Sequence, residues 1–190
     1  MTTSPSPKAT NTGTDWTGRP RHNVSASHTG RDGFGIVVAA GSGRRFGSPK
    51  QFARIARRPM LEYSIRAFEE CRDITGYVVV TRESDVRRME RIARRVRAAR
   101  LIAVVIGGRH RADSVRNGLD RLPEQGWVAV HDAARPMVTP GMLSAGASLA
   151  RRGLAAVFAR PVNDTLKRGT PKRLHATVSR EGLYLSLIHI

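Results

Sequence analysis

The stretch VAAGSGRRFGSPKQF, residues 38–52, contains residue types whose spacing could support a chemical reaction. It follows an apolar run and combines three glycines with the cations Arg45 and Lys50. Glycines let a backbone approach a phosphate closely, and its N–H groups can then form a nest for an anion. Fixed cations beside such a nest would stabilise the negative charge that builds up during substitution at a phosphoryl group. The stretch therefore predicts a phosphate-binding loop that takes part in chemistry.

Two common phosphate-binding templates do not fit this loop. A dinucleotide fingerprint needs glycine or alanine at position 46, which is Phe46, and the Gly-Lys-Ser/Thr step of a Walker A loop is absent. What remains is G-x-G-x-R-F-G followed by P-K. A strand-to-helix turn with basic surface residues would explain the glycines, but it gives no reason for the Ser-Pro-Lys step.

The elements that must position this loop alternate between apolar runs and amphipathic stretches. Strands are predicted at 34–40, 76–81, 101–107, 127–132 and 154–160, and helices near 59–71, 84–99, 112–121 and 141–152. Continuous β-branched runs are typical of parallel strands covered on both faces, so the alternation predicts an α/β fold with right-handed crossovers. Ligands gather at the carboxyl ends of such strands, where the glycine loop lies. Residues 160–184 break the pattern and predict an irregular or hairpin excursion.

Composition restricts the class of protein. The 190 residues suit one domain, and residues 1–33, rich in Ser, Thr, Gly and Pro, predict a disordered extension without the apolar segment of a secretory signal. One cysteine, Cys71, excludes a disulfide framework and a thiolate metal cluster. No apolar window is long enough to span a membrane. The expected location is therefore the cytoplasm.

The net charge of +18 raises the alternative of an arginine-rich nucleic-acid binder. Only four of the 33 basic residues are lysines, and the arginines are spread along the whole chain. In residues 83–100 they occupy one side of a helical pattern, and no aromatic residues alternate with them to stack on bases. This pattern favours a solvated surface without nucleic-acid binding.

Five segments in order resemble one known family. They are AAGSGRRFGSPKQF, GGRHRADSVRNGL (107–119), VHDAARP (130–136), PVNDTLKR (161–168) and TVSREGLY (177–184). Together they resemble nucleotidyltransferases, and in particular the 2-C-methyl-D-erythritol 4-phosphate cytidylyltransferase family, from about residue 35 to residue 184. The resemblance implies a Rossmann-like, mostly parallel sheet of the nucleotidyltransferase type with a β-arm. It also implies a reaction that joins CTP to methylerythritol phosphate and releases pyrophosphate, in the synthesis of isoprenoid precursors.

The resemblance also implies a role for each matching residue. The catalytic residues would be Arg45, Lys50 and Arg180. The nucleotide-binding residues would be Ala39, Ala40, Gly41, Gly43, Gly108, Arg111, Ala112, Ser114 and Asp132, with Asp132 also holding Mg²⁺. The residues for the second substrate would be Arg135, Asp164, Thr165 and Lys167. The arm over 160–184 would cross to a second subunit, which implies a homodimer.

The sequence departs from the family pattern after Tyr184. The segment LSLIHI, 185–190, matches nothing expected there, so we interpret residues 34–184 as an incomplete nucleotidyltransferase domain followed by a non-native tail. An inactive truncated fragment, the front half of a fused two-enzyme polypeptide, and a cytidylyltransferase for ribitol phosphate or another polyol phosphate are the alternatives.

Overall fold

The computed structural model describes residues 32–43 and 47–189. The strands are β1 Gly33–Val38, β2 Arg54–Ile55, β3 Arg58–Pro59, β4 Gly76–Thr81, β5 Leu101–Ile106, β6 Trp127–Asp132, β7 Val157–Pro161, β8 Leu166–Thr170, β9 Arg173–Val178 and β10 Tyr184–His189. The α-helices are α1 Met60–Glu70, α2 Val86–Val96, α3 Arg111–Leu119 and α4 Pro140–Ala150, and a short 3₁₀ helix spans Lys50–Phe52. The predicted disordered extension falls almost entirely outside the described residues.

The main sheet has six strands in the order β5-β4-β1-β6-β10-β7. Strands β5, β4, β1 and β6 are parallel, and each is connected to the next in the chain by at least one helix. The chain moves outward from β1 through β4 to β5 and then returns to β6 on the other side of β1. The point where the strand order reverses opens a crevice at the carboxyl ends of β1 and β6. The topology therefore fixes where a ligand can bind before any side chain is considered.

Helices cover both faces of the sheet, as the continuous apolar strands predict. Val37 and Val79 face a core shared with α1, α2 and α4, whereas Ile36 and Val80 face the other side, where Val115 of α3 packs. Successive strand residues point to opposite faces, so both sets must be apolar when both faces are covered. These β-branched residues thus hold the sheet rigid beneath the crevice.

The predicted excursion is a hairpin between β7 and β10. Strands β8 and β9 pair with each other in a separate two-stranded sheet, and their side chains are almost all exposed. We call this hairpin with its connections, residues 162–183, the arm. Because β7 runs parallel to β6, the arm leaves the main sheet at the same edge as the crevice.

The last described strand lies inside the sheet. Residues 184–189 pair antiparallel with β7 along most of their length and with β6 through His189 and Val130. The apolar segment that follows Tyr184 thus has a defined place between two strands. The interpretation of residues 185–190 as a non-native tail stays a prediction.

The described helices are all short, and none is both long and apolar enough to cross a membrane.

Candidate active site

An open cleft of about 980 Å³ lies at the carboxyl ends of β1, β5 and β6. It brings together nine of the residues that the sequence predicts: Ala39, Ala40, Gly41, Lys50, Gly108, Arg111, Ser114, Asp132 and Arg135. These residues come from three connections, those that follow β1, β5 and β6, and the position where the strand order reverses explains why they meet. Gly43 and Ala112 do not line the cleft. Arg45 lies outside the described residues, so its predicted catalytic role stays a prediction.

The glycine loop begins where β1 ends. The N–H of Ala39 still donates to the carbonyl of Val80 on β4, at 2.7 Å, and the chain then leaves the sheet. Gly43 has φ +65°, and a Cβ at this position would lie 1.8 Å from the carbonyl oxygen of Ser48. Both the left-handed backbone and the close approach require glycine. Glycine at position 43 therefore allows the backbone there to pass close to Ser48, although Gly43 does not line the cleft.

The second wall of the cleft is the turn that leads into α3. The hydroxyl of Ser114 donates to the carbonyl of His110 at 3.2 Å and accepts the N–H of Gly108 at 3.1 Å. Asp113 accepts the N–H of His110 at 2.8 Å, which caps the start of the helix. The Ser114 side chain is buried, and its only proton is used within the turn. The observed hydrogen bonds of Ser114 therefore shape the turn, and they leave its hydroxyl no free proton to donate to a nucleotide base.

Asp132 ends β6 between two arginines. Its Oδ1 accepts from Arg111 Nε at 3.0 Å and lies 2.9 Å from Arg111 Nη2, and its Oδ2 lies 3.4 Å from Arg135 Nε. All three side chains are partly exposed, so solvent weakens these ion pairs. The carboxylate joins α3 to the loop after β6 and orients two cations at the rim of the cleft.

Among the described residues, no group of three or more His, Cys, Asp or Glu side chains could hold a metal ion. Asp132 is the carboxylate in the cleft lining. A Mg²⁺ ion that takes most of its ligands from phosphate oxygens and water needs only one or two carboxylates. The donor set therefore fits an ion that arrives with a nucleotide, and such an ion would compete with Arg111 and Arg135 for the carboxylate.

His131 is next to Asp132 but faces the core. It is fully buried, its Nε2 lies 3.0 Å from Ser64 Oγ on α1, and its ring contacts Phe68. Burial lowers the pKa of His131 from 6.5 to about 4, although the Asp132 carboxylate acts in the opposite direction. The imidazole is therefore neutral at pH 7, as a packed structural histidine would be.

Replacing His131 with glutamine should remove part of the pH dependence of stability. The unfolded chain protonates this ring near pH 6.5 and the folded chain only near pH 4, so the stabilisation is complete above 6.5 and is lost as pH falls to about 4. The loss amounts to about 3 kcal/mol in the wild-type chain. Urea unfolding between pH 7 and 4 would measure it.

The exposed His175 on the arm provides the matched control. The wild-type and His175→Gln chains should lose stability in parallel over this pH range, whereas His131→Gln should lose less. An equal loss in all three would contradict the assignment to His131.

The arm residues do not reach the cleft of their own chain. Asp164, Thr165, Lys167 and Arg180 are exposed and are absent from its lining. Lys167 Nζ donates to Thr177 Oγ1 across the hairpin at 2.6 Å, and Arg180 donates to the carbonyl of Asn163. Within one chain these two cations therefore stabilise the arm.

The cleft also contains residues that sequence reasoning did not identify. Val38, Ser42, Gln51, Arg109, His110 and Ala134 complete the lining. Arg109 and His110 belong to the segment GGRHRADSVRNGL, between Gly108 and Arg111. Only their place in this glycine-rich turn could have indicated that they line the cleft. Gln51 is part of the P-K-Q-F step, but a buried polar side chain gives no signal of its hydrogen-bond partners.

A family model described as 2-C-methyl-D-erythritol 4-phosphate cytidylyltransferase matches residues 34–188. The chain belongs to this family. The match includes the cleft, the arm and most of β10, so it confirms the resemblance and extends it beyond Tyr184.

Individual relatives agree with this membership. The chain is similar to a bifunctional enzyme IspD/IspF of Agrobacterium fabrum, with 43% identity over 159 residues that cover 80% of this chain and 40% of the relative. It is also similar to a 2-C-methyl-D-erythritol 4-phosphate cytidylyltransferase of Paraburkholderia phymatum, with 39% identity over 162 residues that cover 80% and 67%. The chain spans about two thirds of the length of the single-enzyme cytidylyltransferases that it matches.

A solved relative confirms the predicted fold class. The crystal structure of a 4-diphosphocytidyl-2C-methyl-D-erythritol synthase superposes with a TM-score of 0.69 at 29% identity, covering 83% of this chain and 72% of that one. The described residues thus have the α/β nucleotidyltransferase fold of this family.

Proposed function

We propose that this chain carries the nucleotide-binding core of a cytidylyltransferase that joins CTP to 2-C-methyl-D-erythritol 4-phosphate. Two observations support this proposal. The cleft brings together the glycine loop, Lys50 and Asp132 at the point where the strand order reverses, and the family model matches residues 34–188. Among residues 32–43 and 47–189, the cleft lining contains four cationic side chains, Lys50, Arg109, Arg111 and Arg135, and a single carboxylate, Asp132. Its charge therefore suits a polyphosphate.

The chemistry needs positioning and charge neutralisation. An oxygen of the sugar phosphate attacks the α-phosphorus of CTP, a new P–O bond forms, and the bond from the α-phosphorus to the bridging oxygen breaks to release pyrophosphate. A phosphate monoester has its second pKa at about 6 and is already ionised near neutral pH, so the step needs no general base. Lys50 would stabilise the charge on the phosphates, and the glycine loop would hold their oxygens close to the backbone.

The Asp132 carboxylate would hold a divalent cation, which neutralises phosphate charge when bound. Arg111 and Arg135, which pair with Asp132 here, would then be available to the phosphates of the two substrates. We infer a cytoplasmic homodimer in which the arm of one chain completes the cleft of the other. Arg180, Asp164, Thr165 and Lys167 would then contact the sugar phosphate, a role supported by their exposure on the arm and their absence from the cleft of their own chain.

A pyrophosphate-release assay tests the proposed function. The chain is incubated with CTP, Mg²⁺ and either 2-C-methyl-D-erythritol 4-phosphate or ribitol 5-phosphate. Release that requires the methylerythritol phosphate and Mg²⁺ is the expected result. Faster release with ribitol phosphate would favour the second acceptor, and CTP binding without turnover would favour an inactive fragment. Salt-sensitive DNA binding without CTP binding would favour the nucleic-acid binder.

The similarity to a bifunctional relative favours one extension of this proposal. The chain aligns with 40% of the Agrobacterium fabrum enzyme. Its sequence would therefore also suit one part of a fused two-enzyme polypeptide. Sequencing the coding region beyond residue 190 would test this directly.

Replacing Gly43 with alanine should weaken CTP binding by about tenfold or more. The substitution forces a Cβ onto the Ser48 carbonyl in a left-handed backbone, so the loop must open, and each 1.4 kcal/mol of strain corresponds to about a factor of ten. Isothermal titration calorimetry with CTP would measure the change.

Gly47→Ala is the matched control for this variant. Gly47 also has a left-handed backbone, with φ +77°, but a Cβ there meets nothing among the described residues within 4 Å. It should therefore reduce affinity less than Gly43→Ala. Equal effects would show that the close approach to Ser48 is unimportant.

A further inference from the structure

The side chain of Gln51 joins the glycine loop to the Ser-Pro-Lys step. Its Nε2 donates to the carbonyl of Ala39 at 2.7 Å and to the carbonyl of Gly41 at 3.0 Å. A primary amide nitrogen has two N–H donors, so both are used in this contact. The residue is only 4% exposed. This buried amide therefore holds two alternate carbonyl groups of the loop at once.

The contact also fixes the backbone of Lys50. Lys50 and Gln51 are successive residues of the short 3₁₀ helix, in which Phe52 N–H bonds to the carbonyl of Pro49 and Ala53 N–H bonds to that of Lys50. Phe52 packs into the core with the Arg88 guanidinium over its ring. Because Lys50 and Gln51 are neighbours in this hydrogen-bonded turn, the Gln51 amide helps to set the distance from the Lys50 backbone to residues 39–41.

The two carbonyl groups matter for the electrostatics of the cleft. A carbonyl oxygen carries partial negative charge and would repel a phosphate that it faced. Both Ala39 and Gly41 line the cleft, and Gln51 occupies the oxygen of each. Without the amide, these carbonyls would lose their buried partner and seek another by rotation of the loop backbone. Gln51 thus influences both the position of Lys50 and the orientation of the backbone at residues 39–41.

We propose that Gln51 is a positioning residue that sets Lys50 and the glycine loop in register for the triphosphate of the nucleotide. This inference rests on the proposed function. It assigns Gln51 no contact with the reacting atoms. Its effect on binding passes through Lys50 and the loop, so that effect should depend on whether Lys50 is present.

A double-mutant cycle on the full chain tests this dependence, with CTP and cytidine as probes in calorimetry. Gln51→Met keeps the length of the side chain but removes both donors. We expect it to weaken CTP binding by about tenfold. In a Lys50→Ala background the same change should cost no more than about threefold, because residues that act together are not additive. Cytidine, which lacks phosphates, should bind equally well to all four proteins.

Two further variants separate positioning from stability. Ile65→Val reduces core packing on α1, where Ile65 is fully buried, and should lower the urea midpoint without changing CTP affinity. Gln51→Asn keeps the amide but is one methylene too short to reach both carbonyls. It should give an intermediate loss of CTP affinity. If Gln51→Met does not fold, Gln51→Asn replaces it in the double-mutant cycle.

The outcomes distinguish the inference from the function on which it rests. A wild-type chain that does not bind CTP overturns the proposed function and the inference together. A wild-type chain that binds CTP, with Gln51 and Lys50 effects that multiply independently, overturns the inference alone. A loss of cytidine binding equal to the loss of CTP binding also overturns it, because the effect would not then involve the phosphates.

Discussion

Replacing Lys50 with alanine is expected to slow pyrophosphate release from CTP by about 100- to 1000-fold, as loss of one preorganised charge-stabilising group does elsewhere. Lys50 lines the cleft and lies on a 3₁₀ helix that is tied to the glycine loop through Gln51. Holding the backbone of Lys50 in this way limits the positions that its ammonium group can take beside the phosphates. The effect should therefore appear in kcat as well as in kcat/KM.

Lys172→Ala is the matched control, because Lys172 is exposed in the turn of the arm hairpin. It should leave turnover unchanged. Lys50→Arg should recover only part of the activity, because a planar guanidinium does not replace the compact ammonium group at a fixed position. Undiminished turnover in Lys50→Ala would contradict the role proposed for this side chain.

Replacing Asp132 with asparagine is the second change with a large expected effect, again about 100- to 1000-fold in kcat if the loss is comparable to that of a preorganised group. The carboxylate would hold the divalent cation, and asparagine removes its charge while keeping its shape. The Mg²⁺ concentration for half-maximal rate should also rise. A Mg²⁺ titration at saturating CTP would measure both quantities.

The Mg²⁺ titration separates two roles of Asp132. If the residue only orients Arg111 and Arg135, activity should fall while the Mg²⁺ requirement stays the same. That result would contradict the metal-binding role. Asp120→Asn, an exposed change at the carboxyl end of α3, should alter neither quantity.

The sequence predicts the parallel half of the fold well because burial on both faces leaves a clear pattern. The runs at 76–81 and 127–132 are the strands β4 and β6 without any shift in their bounds. The positions of the carboxyl ends of β1, β5 and β6, and so the meeting of Lys50, Gly108 and Asp132, follow from the alternation of elements. Pattern and topology are enough at this level.

Side-chain partners could not be predicted in the same way. Nothing in the letters P-K-Q-F shows that the Gln51 amide bonds to two backbone carbonyls, since such contacts depend on loop geometry. Likewise, the pairing of Asp132 with Arg111 depends on how the α3 turn approaches β6. The family resemblance indicated which residues meet, but it could not indicate which of them bind each other.

The outer part of the sheet was harder to predict for a different reason. The strand predicted at 154–160 begins three residues later, at Val157, and the apolar run after Tyr184 is a strand that no family motif marked. Antiparallel pairing between distant segments has no local signature. A short apolar run can be assigned to a sheet only when its neighbours are known.

The place of β10 has a consequence for the order of assembly. Strands β1, β4, β5 and β6 follow one another through helical crossovers, so this half can form while later residues are still being synthesised. The outer ribbon of β7 and β10 meets β6 only through His189 and Val130 among the register pairs, which lie far apart in the chain. Closing so long a loop is slow. The part of the sheet formed by β1, β4, β5 and β6 should therefore fold first, and the arm should reach its final place only after residue 189 has been synthesised.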